Sequence, residues 1–226
     1  MSFANKALHR DGAILVSIHL VGLSYFLFFL VSFLLWHFPT SPGTIVQAQA
    51  VTLYSSGVIL WCLCSLAHRV RGTLYGSQAV SWLKLEQAGT LFLIYTTTVP
   101  LVILSSDQHG YLRLAYLFCF TIAVVGTMTD FLSYHLYFCQ FCLALGSFAL
   151  LPPIYILRQP WALPSPLVVG LIRLAGWNLL AGLGYLARGP ERLGLVGEWK
   201  PSLYLMHLAV ILNSISYGRY IWDAAI

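Results

Sequence analysis

The sequence predicts an all-α integral membrane protein, a seven-transmembrane helix bundle that takes up residues 1–226 as a single domain. Two observations predict this fold class. Of the 226 residues, 59% are hydrophobic and only 8% are charged, which is far below the charged fraction of a soluble domain. The apolar residues also fall into seven runs close to the roughly 20 residues that one crossing helix needs. The strands of a membrane β-barrel would be shorter and would alternate in polarity.

The seven predicted segments follow one another with short connections. The loop HFPTSPGT ends the first, and its two prolines and glycine indicate a turn. The fourth and fifth segments meet near Asp130, which predicts a helical hairpin, and Pro152 with Pro153 is predicted to end the fifth. The polar stretch 188–202 separates the sixth from the seventh. The predicted ranges are 12–36, 45–68, 83–105, 112–129, 131–151, 164–187 and 203–222.

The basic residues predict the orientation of the bundle. Eight of them flank the segments on the side that the N-terminus faces, and three lie on the other side. Because Lys and Arg are enriched on the cytosolic side of membrane proteins, the N-terminus is predicted to be cytosolic. After seven crossings the C-terminus then lies on the far side. Since the basic residues follow this topological pattern, the net charge of +5 is not an argument for binding to nucleic acid.

Polar residues gather at the predicted cytosolic ends of segments two and three. Cys64 and His68 close segment two, and Glu86 lies at the start of segment three. Cys64 and His68 are four residues apart and therefore share one face of a helix. An ionisable group near membrane depth is costly, which makes it a candidate functional residue. The alternatives are a structural pair that ties two helices together, or a pairing of Glu86 with Lys84 or Arg71.

Further ionisable residues are predicted in the same layer, because alternate segments run in opposite directions. His207 lies about one turn into segment seven, and His19 lies about two turns into segment one. Asp130 ends segment four, and His135 follows in segment five. Each has an alternative role. Asp130 could cap a helix, and His19 could be a core histidine bonded to a backbone carbonyl.

These positions predict a site with assigned roles. Glu86 and Asp130 are the candidate catalytic residues, and His68 and His207 are the candidate metal ligands. Imidazoles with a carboxylate suit zinc, which takes a tetrahedral shell of nitrogen and oxygen or sulfur ligands. Zinc needs at least three protein ligands, and the third is open between Glu86, Cys64 and His19. The predicted supporting residues are Cys64, His19 and His135.

At these residues the sequence resembles the haemolysin III and progestin/adipoQ receptor family of membrane proteins. LEQAGTLFLIYTTTVP is similar to the family's LDHxxIxxLIAGTYTP at the start of the third helix. The family also carries Ser-x-x-x-His at the end of helix two and His-x-x-x-His near the start of helix seven. The resemblance covers nearly the whole chain in length, helix count and orientation. It implies a seven-helix fold in which histidines bind zinc and an acidic residue holds a zinc-bound water.

The family pattern is carried onto this chain residue by residue. The family serine falls on Cys64, its histidine on His68 and its aspartate on Glu86. In SLYLMHLAVILNS the second histidine of helix seven falls on His207, and the first falls on Leu203. The resemblance therefore implies a zinc site in which leucine occupies one ligand position.

Three functions stay open from the sequence. The first is a lipid-active protein of the haemolysin III type, either a zinc-assisted hydrolase of lipid amides or esters with Glu86 as general base, or a lipid receptor. The second is a metal-free membrane cyclase of isoprenoids in which Glu86 or Asp130 donates a proton. The third is a non-catalytic member that binds a lipid or a partner and signals through the 188–202 loop. The expected ligand is a membrane lipid or an isoprenoid.

Overall fold

The structure, a computed structural model, describes residues 3–37, 45–74, 79–104, 110–130, 138–158, 165–192 and 200–225. All regular secondary structure in these ranges is helical, which confirms the all-α class. The elements are α1 (Phe3–Ser32, continued by a π-helical turn Phe33–His37), α2 (Ile45–Leu74), α3 (Ala79–Leu104), α4 (Gly110–Asp130), α5 (Phe138–Ala149), α6 (Leu151–Leu157), α7 (Pro166–Ala187), α8 (Gly189–Arg192) and α9 (Pro201–Ala225).

Six helical segments in the described ranges are long and apolar enough to cross a membrane. This supports a multi-pass membrane protein. The predicted seventh crossing is not among the six, because α9 is 25 residues long but carries His, Asn, Ser and Arg along its length. The six segments are Gly12–Trp36, Ile45–Arg71, Ser81–Leu104, Gly110–Met128, Gln140–Leu157 and Pro166–Ala187.

Two polar groups of α9 are bonded to neighbouring helices of the bundle. This helix packs against α1, α2, α3 and α7. The Tyr54 hydroxyl of α2 donates a hydrogen bond to the main-chain carbonyl of Ser214 at 2.7 Å. The side-chain amide of Asn213 donates to the side-chain oxygen of Asn178 on α7 at 3.0 Å. Polar groups that are satisfied inside a bundle do not have to be solvated by lipid, so an inner helix can carry them.

Tyr54→Phe is expected to destabilise the protein by about 1 kcal/mol, because it removes one buried hydrogen bond and keeps the ring. Tyr54 is fully buried, and its ring packs edge-to-face on Tyr217 with the ring centroids 5.5 Å apart. Thermal unfolding of the detergent-solubilised protein measures the loss. Tyr155→Phe is the matched control, since that side chain is 43% exposed. Equal shifts in both variants would contradict a stabilising role for the Tyr54 hydrogen bond.

The interior contains two apolar clusters, and α3 contributes to both. The larger cluster joins α1, α2, α7 and α9 around Phe26, Tyr54 and Tyr217. The smaller one lies between α3, α4 and α5. Large apolar side chains also cover the outside of the bundle, such as Phe28 on α1 and Phe118 on α4, both about two-thirds exposed. Apolar surface this extensive indicates contact with lipid or with other protein. The buried residues of the smaller cluster are Leu91, Phe120, Val124, Leu145 and Ala149.

Two predicted segment ends are wrong. Pro152 and Pro153 do not end the fifth segment, because the backbone stays helical at Leu150 and continues into α6, where both prolines lie in the first turn. A proline is tolerated there, since the missing N–H would have no partner inside the helix. Helix α2 continues to Leu74, six residues past the predicted end at His68. A basic residue in its last turn suits the C-terminal end of a helix dipole.

Candidate functional site

Small residues let α2 and α3 approach each other closely. A Cβ atom built on Gly89 of α3 would lie 3.0 Å from the Cβ of Cys64 and 3.4 Å from the Cα of Trp61, both on α2. Small residues at a helix contact allow two backbones to come together in a membrane protein. This contact sets the last turns of α2 beside the first turns of α3, and it brings His68 opposite Glu86.

Glu86 joins the two helices through two side chains of α2. His68 Nδ1 is bonded to Oε2 of Glu86, and Arg69 Nη2 donates to Oε1 at 3.4 Å. The exposed fractions of the His68, Glu86 and Arg69 side chains are 17%, 11% and 22%. Among the described residues Glu86 does not pair with Lys84 or Arg71, the alternative partners, and it pairs with Arg69 instead. The result is a mostly buried ionic group, which we call the Glu86 cluster (His68, Arg69 and Glu86).

A second group consists of three aromatic rings from three helices, which we call the ring cluster (His19, Trp61 and His207). The His19 and His207 rings pack edge-to-face with their centroids 4.9 Å apart. Trp61 lies 5.1 Å from His19 and stacks on His207 at 6.1 Å. All three are buried, with His19 fully so. His19 Nδ1 also bonds to the main-chain carbonyl of Leu15 at 2.7 Å, as a core histidine would.

Several buried polar atoms in this layer have no hydrogen-bond partner within the part of the chain that is described. They are both ring nitrogens of His207, Nε2 of His19 and the hydroxyl oxygen of Ser65, which lies one turn beyond Trp61 on α2. A buried polar atom left without a partner costs about 1–3 kcal/mol. Imidazole nitrogens can donate or accept according to the tautomer, and a hydroxyl can do both. Such atoms are chemically suited to a hydroxyl, amide or carbonyl group that enters the bundle.

The Glu86 cluster and the ring cluster form one site. Trp61 and His68 are seven residues apart on α2 and so lie on the same face of that helix. Helices α3 and α9, which carry Glu86 and His207, pack against each other and against α2. Cys64, a buried free thiol, lies on the same turns of α2 at the contact with α3. The structure therefore brings together residues of α1, α2, α3 and α9 that the sequence placed in one layer.

The comparisons do not assign this chain to a known group. A scan against models of protein families finds no match to it, and a search of curated proteins finds none either. The resemblance to the haemolysin III and adipoQ receptor family stays a hypothesis. The function must be argued from the site itself.

Some site residues were missed by the sequence analysis, and some predicted ones lie beyond description. Arg69 was treated only as a mark of orientation. Trp61 and Ser65 could have been found, because they precede His68 by seven and three residues on the same helical face. Asp130 is the last residue of α4, but its side chain lies outside the described residues, as does all of His135. The roles predicted for those two residues stay predictions.

A metal site needs three or more ligand side chains close together. Among the described residues, no group of three or more His, Cys, Asp or Glu is arranged to hold a metal ion. One ring nitrogen of His68 is taken by Glu86, and one of His19 is taken by a main-chain carbonyl. Metal-binding histidines commonly donate their second ring N–H to a carboxylate or a main-chain carbonyl, so these bonds leave the other nitrogen of each ring available to a ligand. Zinc bound by His68 and His207 stays a prediction, and no step below depends on a metal.

Proposed function

We propose that this chain is a seven-helix membrane protein of the haemolysin III type whose buried site binds the polar group of a membrane lipid. The observation that carries the proposal is the set of unpartnered polar atoms on His19, Ser65 and His207, which lie in the same layer of the bundle as the Glu86 cluster. In a membrane interior each of these atoms needs a partner that lipid chains cannot supply. A ligand with a polar group and an apolar chain supplies that partner, and its chain can lie against the apolar helices.

Helix α9 is the seventh crossing in this proposal. Its 25 residues span about 37 Å, which exceeds the roughly 30 Å hydrocarbon core. Its contacts with α1, α2, α3 and α7 shield much of it from lipid. An odd number of crossings places the N-terminus and C-terminus on opposite sides. With a cytosolic N-terminus, the site lies near the cytosolic face.

The charges of the site favour a neutral polar group. The Glu86 carboxylate is already balanced by Arg69, and it is bonded to His68 as well. A second carboxylate or a free amine would disturb this balance, whereas a hydroxyl, amide or ester would not. The ligand class is therefore a lipid with such a group near its head, and its chain would lie against the apolar helices.

Hydrolysis of a lipid amide or ester is a second candidate, and the bond between His68 and Glu86 favours it. A carboxylate that holds one nitrogen of an imidazole fixes the ring and leaves the other nitrogen free to act as a general base. His68 would accept a proton from water as the water attacks the lipid carbonyl. The cyclase alternative needs Glu86 or Asp130 as a proton donor. The Glu86 carboxylate is arranged as an acceptor from two partners, which does not favour that role, and the Asp130 side chain lies outside the described residues.

His207→Phe is expected to remove the bound lipid and, in protein stripped of lipid, to raise the stability by about 1–3 kcal/mol. Phenylalanine keeps a ring between His19 and Trp61 and removes two unpartnered nitrogens. Lipid content is measured by mass spectrometry of an organic extract of the purified protein, per mole of chain. Thermal unfolding of the same samples measures stability. Loss of lipid with gain of stability would separate a binding role from a structural one.

The matched control is Leu208→Phe, which changes the next residue of α9 where the side chain is 40% exposed. We expect neither lipid content nor stability to change there. Equal lipid content in the wild type and His207→Phe would contradict the lipid-binding proposal. Fatty acid released from supplied lipid esters by the wild type, and not by His68→Ala, would favour hydrolysis.

A further inference from the structure

A polar cavity that is open to the surface lies at the end of α7, apart from the site described above. Its volume is about 560 Å³. Four of its five lining residues are polar, and two of these carry a guanidinium group. The lining residues are Tyr185, Leu186, Arg188, Glu191 and Arg192.

Arg188 takes a backbone conformation that is unusual for arginine. It ends α7 with φ 48° and ψ 41°, in the left-handed region. Glycine is the residue that suits this position at a helix end, because a Cβ atom is strained there. Strained backbone in a folded protein concentrates at functional sites. Arg188 occupies a backbone position that favours glycine and lines a cavity. This indicates that its side chain has a functional role.

The acidic residue of the cavity is engaged elsewhere. Oε1 of Glu191 accepts a hydrogen bond from the Ser202 N–H at 3.0 Å and another from the Ser202 hydroxyl at 2.5 Å. These bonds to Ser202, together with the nearby positive charge of Arg188, hold the pKa of the Glu191 carboxyl below its usual range. Within the described residues, neither Arg188 nor Arg192 forms an ion pair through its guanidinium. The cavity thus presents two guanidinium groups and one carboxylate, whose Oε1 is bonded to α9 and whose Oε2 has no hydrogen-bond partner among the described residues.

We infer that this cavity binds a phosphate group, with Arg188 and Arg192 as its charged partners. Guanidinium groups match phosphate oxygens in charge and in paired hydrogen-bond geometry, and the Tyr185 hydroxyl can add a donor. The volume accommodates a phosphate with a small head group. The phosphate is that of an anionic phospholipid or of a soluble ion. The lipid source rests on the proposed orientation, which places the end of α7 at the anionic cytosolic leaflet.

Arg188→Gly tests the inference without threatening the fold, because glycine relieves the left-handed conformation. The full-length protein in neutral detergent is titrated with dihexanoyl phosphatidic acid, dihexanoyl phosphatidylcholine or inorganic phosphate. Binding is followed through the thermal unfolding midpoint. We expect saturable stabilisation of the wild type by phosphatidic acid and not by phosphatidylcholine. In Arg188→Gly and in Arg192→Gln the apparent affinity falls about tenfold or more, as expected for a lost charge-assisted bond.

Arg158→Gln is the matched control, because Arg158 is an exposed arginine at the end of α6. The affinity of the Arg158→Gln variant for phosphatidic acid should equal that of the wild type. A response to phosphatidic acid well above that to inorganic phosphate supports a phospholipid as the source, and equal responses support a free phosphate. No saturable response to either, or unchanged affinity in Arg188→Gly, overturns the inference. His207→Phe leaves this cavity intact, so phosphate binding in that variant is judged separately from the proposed lipid site.

Discussion

Glu86→Gln is expected to destabilise the protein by about 1.5–3 kcal/mol, the range for a hydrogen bond that involves a charged group. Glutamine keeps the volume and removes the charge, so His68 and Arg69 lose their acceptor carboxylate. Because these side chains are mostly buried, water replaces the lost bonds only in part. Chemical or thermal unfolding of the solubilised protein measures the loss. Bound lipid is expected to fall as well, since the orientation of His68 depends on Glu86.

A double-mutant cycle tests whether the loss of stability in Glu86→Gln comes from the bond between Glu86 and His68. Glu86→Gln and His68→Ala together should cost less than the sum of the single changes, by an amount within the range of about 0.5–3 kcal/mol for contacting residues. Glu86→Gln combined with Tyr155→Phe is the control cycle, and its two effects should add to within about 0.5 kcal/mol. Additive losses in the Glu86 and His68 cycle would contradict a direct bond between them.

The helices of this fold were predictable because length and polarity decide them. A run of about 20 apolar residues can hardly be anything other than a buried or membrane helix. The two errors, both in the ends of segments, arose where a rule for the local sequence did not take the neighbouring residues of the helix into account. Pro152 and Pro153 were read as an end, but they lie in a first turn, where proline is tolerated. The predicted end of α2 at His68 was the end of an apolar run, but the helix continues through polar residues to Leu74.

The depth of the site along the helices was predictable, but the contacts between its side chains were not. Counting residues along antiparallel segments places His68 and Glu86 at the same level, and the structure bonds them. The contact between His19 and His207 depends on how α1 and α9 are rotated about their axes. In a soluble helix the polar face sets that rotation, but a helix that is apolar on nearly all sides gives no such signal.

Gly57→Ala is expected to destabilise the protein by about 1–3 kcal/mol or more, because it overpacks the contact between α2 and α3. An added Cβ atom would overlap Oγ1 of Thr96 and would lie 2.5 Å from its Cβ. Thr96 cannot turn aside freely, since its hydroxyl is bonded to the main-chain carbonyls of Phe92 and Leu93. The helices must therefore separate. Thermal unfolding reports the loss, and lipid content should fall with it, because the same contact sets His68 against Glu86.

Rescue by a second change distinguishes this clash from a general effect of alanine. Thr96→Gly removes the side chain that the added methyl group would meet, so the double variant should recover much of the stability lost in Gly57→Ala. Gly176→Ala on α7 is the control, because among the described residues no atom outside the adjoining backbone of α7 lies within 4 Å of the added Cβ atom. There the change should be neutral or stabilising by up to about 1 kcal/mol, since alanine favours a helix over glycine. Equal behaviour of the two glycines would mean that α2 and α3 do not approach as closely as this contact requires, and the bond between His68 and Glu86 would lose its structural basis.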